Sequence, residues 1–200
     1  MSVTENAPTL DHRERLLRGM AASVREKGFR GTTIADVVAH ARVSRRTFYE
    51  HFSDPTDCYL ALFERITRQN MATISEAMTA QGPLGERLDR ALSGYLGTLA
   101  SDPELSRSYF RELHNTGDRG RRLLRAVKER AGQTIHELTE QERARDPERL
   151  HSLSPAMATM ISTGIAEMAL LALDDGASLE PVKATATQLL LRVLAAPDPD

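Results

Sequence analysis

Thr32–Phe52, TTIADVVAHARVSRRTFYEHF, constrains the fold more than any other stretch of the chain. Thr33 stands where a hydroxyl caps a helix, with Asp36 three residues on to return the bond in a variant of the capping box. Ile34, Val37, Val38 and Ala41 then fall on one side of that helix. Ser44 can cap a second, short helix, and Phe48 and Phe52 are spaced to pack beneath it. Only a tight turn fits between the two. This is the layout of a helix-turn-helix, whose second helix carries a hydroxyl and two arginines at its start.

The helical pattern extends on both sides. Leu16, Leu17, Met20, Ala21 and Val24 recur at three- and four-residue steps, and Gly28-Phe29 reads as a stop, with a left-handed glycine and an aromatic folding back. Asp54-Pro55-Thr56-Asp57 opens a long helix to about Thr79, with an acid facing the dipole and Tyr59, Leu60, Phe63, Ile66 and Ile74 along one side. Gly82-Pro83 breaks the chain. Helices follow over about Leu84–Ala100, from Asp102-Pro103 to near Gly117, and over about Asp118–Arg143, the last with Leu124, Val127, Ala131, Ile135 and Leu138 as its apolar stripe. Residues 144–153 form a polar connection. Ser154-Pro155 opens an apolar helix to about Leu173, and a final helix covers about Leu179–Leu194. Residues 1–10 and 196–200 are polar, hold prolines and are expected to be disordered.

No stretch alternates as a strand does, so the fold is expected to be all-α. The division is a three-helix head over 11–54 and a helical body over 55–195. No run of about 18 apolar residues suggests a membrane span, and the first residues lack the apolar segment of a signal peptide. The single Cys58 allows no internal disulfide or cysteine metal site and fits a reducing, cytoplasmic setting. No cofactor or metal is expected. The net charge of −2 is unevenly spread: residues 1–52 hold 9 Lys/Arg against 6 Asp/Glu. A basic head on an acidic body suits a local nucleic-acid footprint.

Gly28-Phe29, Thr32-Thr33-Ile34, Ala35-Asp36-Val37-Val38, Ala41-Arg42-Val43-Ser44, Arg45-Arg46-Thr47-Phe48-Tyr49 and His51-Phe52 together resemble the DNA-binding domain of the TetR family of bacterial transcriptional regulators. The resemblance covers residues 11–63. Beyond it, the chain matches the family only in being helical and of suitable length. The resemblance implies a two-fold homodimer on a palindromic operator in double-stranded DNA, and repression as the usual outcome.

The residues of the motif carry a reading of their own. Thr33, Ser44 and the free amides at their helix starts can hold phosphates. Arg45 and Arg46 sit on the first turn of the reading helix, where a side chain reaches base edges, or else they are solvated charges. Thr47 could touch a thymine methyl or a phosphate. Arg42, in the turn, can approach the DNA backbone. By resemblance Tyr49 and His51 contact phosphates; Tyr49 could instead be a core aromatic, and His51 could cap or pack. Two positions depart from the family: Arg42 stands where glycine is usual, and Pro55 where a lysine is frequent.

In the last two helices Met157, Met160, Ile161, Ile165, Met168, Leu171, Leu190, Val193 and Leu194 are more apolar than two surface helices need. The small Thr163, Gly164, Ala166 and Ala169 would permit close approach. The resemblance implies a four-helix dimer interface there, while the plainer reading is a monomer core. It also implies a cavity in the middle helices for a small organic effector, with Tyr95, Tyr109, Phe110, His114 and His136 as candidate lining residues and Met71 and Met78 nearby. Simple packing is the alternative for each. A DNA-binding protein of this fold controlled by a protein partner, or acting without a ligand, fits the same sequence. An enzyme does not: HExxH, Walker and GxSxG patterns are missing.

Overall fold

The computed structural model describes residues 11–151 and 153–195. Among them run nine α-helices and one 3-10 turn: α1 His12–Gly31, α2 Ile34–Ala41, α3 Arg45–His51, α4 Pro55–Thr79, α5 Leu84–Ser101, α6 Pro103–Glu112, η1 Leu113–Asn115, α7 Gly117–Arg145, α8 Pro155–Asp174 and α9 Glu180–Leu194. The all-α expectation holds, and the extended backbone among the described residues is one isolated bridge between Leu150 and Ala195. The ends expected to be disordered, 1–10 and 196–200, lie outside the described residues.

Contacts divide the chain into two compact units, Met1–Phe63 and Glu64–Asp200. The first unit therefore extends past residue 54. Its core explains why: Cys58, Tyr59, Leu62 and Phe63 of α4 are buried with Leu16, Leu17 and Met20 of α1, Val37 of α2 and Phe48 of α3. Helices α1 and α2 approach closely at Gly19, where an added β-carbon would lie 2.5 Å from the Val37 carbonyl oxygen. Gly28 has φ 70° and ψ 167°, so it kinks α1 at a positive φ without forming the expected left-handed cap, and the helix resumes to Gly31. Phe29 stacks on Tyr59, centroid to centroid 3.9 Å.

The second unit has two apolar clusters. One gathers Met78, Leu88, Leu92, Leu138, Leu153, Ala158, Ala186, Leu190 and Leu194. The other joins Leu96, Leu99, Ala169 and Leu173, with Tyr95 and Phe110 packed against it. Helices α7 and α8 touch at Gly132, where a β-carbon would meet Thr159 Oγ1 and the Pro155 carbonyl. The expected stripe of α7 is only half-buried at Leu124, Val127, Ala131 and Ile135; full burial comes at Leu138, Thr139 and Glu142. Glu142 is there because Arg87 of α5 is also buried and forms a two-armed ion pair with it, one arm 2.7 Å long. Arg87 also donates to the Met78 carbonyl at the end of α4, 2.7 Å.

Helix α8 is long and apolar enough, by length and composition, to cross a membrane. Its Ala158, Ala169, Leu170 and Leu173 are buried inside the second unit, however, so this apolarity is partly used on neighbouring helices.

Candidate nucleic-acid interface

The turn before α3 is fixed from both sides. Thr33 Oγ1 accepts from the Asp36 amide at 3.3 Å, and the Asp36 carboxylate accepts from the Thr33 amide at 2.9 Å, closing the capping box. Lys27 Nζ lies 2.7 Å from the same carboxylate. The Lys27 contact and the Thr33 bonds hold the Asp36 pKa far below the usual carboxylate range. Helix α2 ends at Arg42, which takes the left-handed conformation, φ 53° and ψ 49°. It is the single positive-φ residue other than glycine among the described residues. Arg15 of α1 holds this turn by donating to the carbonyls of Ala41 (3.0 Å) and Arg42 (2.6 Å). Sequence reading does not reveal Arg15, because its partners lie 26 and 27 positions away.

Ser44 Oγ accepts from the Thr47 amide at 3.0 Å and caps α3. The hydroxyls of Ser44 and Thr47 are 2.9 Å apart, so the half-buried Thr47 is engaged with the cap. Phe48 is buried beneath the helix, and its neighbours on the outer side, Arg45, Arg46 and Tyr49, are exposed. Arg45 has no ion pair among the described residues. Arg46 pairs with Glu50 at 3.2 Å while its own side chain stays 90% exposed. Such a surface pair contributes at most about 0.5 kcal/mol, so the guanidinium is readily released to another acceptor. Tyr49 is 60% exposed, which removes the core-aromatic alternative. His51 is half-buried beside Phe52. The Phe52 ring is itself covered by Arg13, 5.5 Å from its centroid. One surface thus carries Arg42, Ser44, Arg45, Arg46 and Tyr49 on a short, internally capped helix.

Residues 16–62 match the family model described as bacterial regulatory proteins, tetR family. Most of the first unit is therefore similar to the DNA-binding domain of that family. The whole chain shares the TetR-like fold. The fatty acid degradation regulator FadR from Bacillus halodurans superposes with a TM-score of 0.77 at 19% identity, covering 92% of this chain and 97% of that one. FadR from Bacillus subtilis, in complex with stearoyl-CoA, gives 0.75 at 17% identity over 90% and 98% of the two chains. SmeT, the repressor of the Stenotrophomonas maltophilia multidrug efflux pump SmeDEF, gives 0.70 at 20% identity over 93% and 91%. No curated protein sequence matches the chain.

In the second unit the candidate lining residues separate. Tyr95, Tyr109 and Phe110 come together: the Tyr109 and Phe110 rings are 5.1 Å apart, and Tyr95 and Phe110 share a cluster. Burial pushes the phenol pKa of both tyrosines up. His114 is exposed on η1, and His136 spends its Nδ1 on the Leu153 carbonyl at 2.6 Å, so neither joins that group. Met78 is a core residue of the other cluster. The candidate interface residues also separate. Met157, Met160 and Met168 are exposed, as are Leu171, Leu189 and Leu191. Leu190 and Leu194 are buried, and Ile161, Ile165 and Val193 pack against the same cluster, so these five side chains serve this chain's own core. The missed pair, Leu189 and Leu191, lies in the run Leu189-Leu190-Leu191, where composition alone cannot tell inward from outward.

Proposed function

We propose that the chain is a cytoplasmic, non-enzymatic TetR-type repressor that binds a palindromic operator as a homodimer and leaves it when a small organic effector enters the second unit. The observation that carries this reading is the outer face of α3: Arg45 without an ion-pair partner, Arg46 loosely tied, and both on the first turn after the Ser44 cap. Arginine paired with two acceptors on guanine gives about 1–3 kcal/mol of base discrimination. Ser44, Thr33 and Arg42 hold phosphates beside it, with Thr47, Tyr49 and His51 flanking. One seven-residue helix reads few base pairs, so pairing two heads supplies the missing specificity.

The exposed Met157, Met160, Met168, Leu171, Leu189 and Leu191 support dimer formation through α8 and α9, because so many apolar side chains are rarely left in water. The B. subtilis FadR complex supports effector binding in this fold. Effector binding would reposition α4, which begins in the first unit and ends in the second, with coupling of about 1–3 kcal/mol.

A footprint on the DNA flanking the protein's own gene tests the reading. A protected palindrome is expected, and it is lost in the Arg45→Ala, Arg46→Ala double variant. Full protection by that variant would overturn the assignment of α3 as reader. Light scattering on Met160→Glu, Met168→Glu is expected to give monomer where the natural chain gives dimer.

A further inference from the structure

The outermost line of α3 carries one cation and one anion. Arg46 and Glu50 each lie about 160° around the helix from Phe48, on either side of the point opposite it. Phe48 is wholly buried, so these two positions face farthest from the core of the first unit. Their side chains are 90% and 54% exposed.

Glu50 stands there against local stability. It is the last residue but one of α3, where a carboxylate meets the negative end of the helix dipole. An acid four residues after its basic partner is also the weaker order for such a pair. The Glu50 carboxylate caps no helix: Ser44 serves the start of α3, and at its end the Phe52 amide donates to the Phe48 carbonyl. The other acid of Thr32–Phe52, Asp36, is by contrast spent on the Thr33 capping box and on Lys27. Set among the exposed Arg42, Arg45 and Arg46, a carboxylate repels the phosphates that those arginines attract. Neither the fold nor phosphate binding uses Glu50, whereas recognition of a base edge can.

The pairing geometry indicates which base. Arg46 donates to Glu50 Oε1 through Nε, at 3.2 Å. The terminal nitrogens of Arg46 and the Oε2 of Glu50 make no further hydrogen bond among the described residues. The pair therefore offers a fork of donors beside one acceptor. The major-groove edge of a G·C pair offers the converse, with the N7 and O6 acceptors of guanine beside the N4 amino donor of cytosine. An A·T pair instead places the adenine amino group against the guanidinium and the thymine O4 against the carboxylate.

We infer that Glu50 is a base-reading residue: beside Arg46, it accepts from the amino group of the cytosine whose guanine partner Arg46 contacts, so that the two side chains read one G·C pair as a unit. This rests on the assignment of α3 as reader and deepens it.

The test uses the full-length protein and a pool of duplexes randomised over about three helical turns, which accommodates two half-sites. The natural chain is expected to enrich a sequence in which one G·C pair per half-site is preferred about fivefold or more over the alternatives. In Glu50→Ala that preference should weaken at this pair. Binding of the variant to unselected duplex should stay equal or tighten, because a repelling charge is gone, and its Tm should be unchanged or higher. A second probe isolates the contact. The selected site is remade with 2-pyrimidinone in place of that cytosine, which keeps the ring and lacks the amino group. The natural chain should lose about tenfold in affinity, as one charge-assisted hydrogen bond implies, and Glu50→Ala should lose nothing further. Any general effect on the duplex falls equally on both proteins. Glu50→Gln, which keeps an acceptor without the charge, should restore part of the sensitivity to the amino group. An equal loss in the natural chain and Glu50→Ala, or no loss in the natural chain, overturns the inference. If the natural chain enriches no sequence, the assignment of α3 as reader falls and takes this inference with it. Enrichment by the natural chain with an unchanged base preference in Glu50→Ala sinks this inference alone.

Discussion

At Arg42 two demands meet in one residue. The turn requires a left-handed backbone, which costs a side chain with a β-carbon about 1 kcal/mol relative to glycine. Arginine is there nonetheless, exposed, with its carbonyl held by Arg15. Arg42→Gly is therefore expected to raise the stability of the first unit by about 1 kcal/mol in urea unfolding. The same variant should bind operator more weakly, with a salt slope smaller by about 1 if the guanidinium neutralises a phosphate. An unchanged slope would show that the arginine stays in solvent. The position of Pro55, where a lysine is frequent in the family, gives the turn a reason to supply that charge.

The helix starts of the head were readable in the sequence because their chemistry is local. Thr33 with Asp36 and Ser44 with Thr47 act across three residues, a spacing any reader of the chain can see. Asp36 adds a pH signature. Its pKa drops from an ordinary 3.8 in the folded chain because Lys27 and Thr33 favour the carboxylate. The stability it contributes is then present above about pH 4 and is lost as the pH falls through the lower folded value. Acid unfolding of Asp36→Asn is expected to be flatter in that window, with the two proteins converging at the most acidic pH. What stayed hidden was long-range. Arg15 reaches the turn from another helix, and nothing near Arg87 announces Glu142, 55 positions on. Helix α9 failed for a different reason: three successive leucines carry no helical asymmetry, so only packing decides that Leu190 turns inward while Leu189 and Leu191 face out. Among the candidate lining residues, only packing separates the three rings that gather from the two histidines that do not.

At the scale of the molecule, the second unit is cross-tied by ion pairs between helices. Arg87 and Glu142 are about 95% and 93% buried, and Arg145 adds a further contact to Glu142 at 2.6 Å. Each raises or lowers the other's pKa in the direction that keeps both charged. Burying such a pair is barely favourable overall, whereas removing one partner leaves a charge stranded. Glu142→Gln is expected to cost about 3–5 kcal/mol. The Arg87→Met, Glu142→Leu double variant should recover most of that loss, unless the Arg87 bond to the Met78 carbonyl is what secures the end of α4. Comparing the two by calorimetry separates electrostatic pairing from anchoring of α4. The outward methionines of α8 belong to the same scale: they explain how a helix apolar enough for a membrane sits in a bundle with one side uncovered.

Cys58 lies in the middle of the first unit's core, 3.8 Å from the Leu16 carbonyl, with its thiol pKa pushed up to about 12 by burial. Its use is as a clock. A sulfur that is both sealed and protonated reacts with a maleimide or a disulfide reagent only when the head opens, so the labelling rate of the unaltered protein counts opening events of the DNA reader alone. Operator DNA should slow that clock by the factor by which it stabilises the closed head, whereas a ligand confined to the second unit should leave it nearly unchanged in the absence of DNA. Because this is also the chain's one cysteine, a second placed at the exposed Tyr49 position would label at once. In the proposed dimer, one variant could then report the spacing of the two readers and the breathing of each.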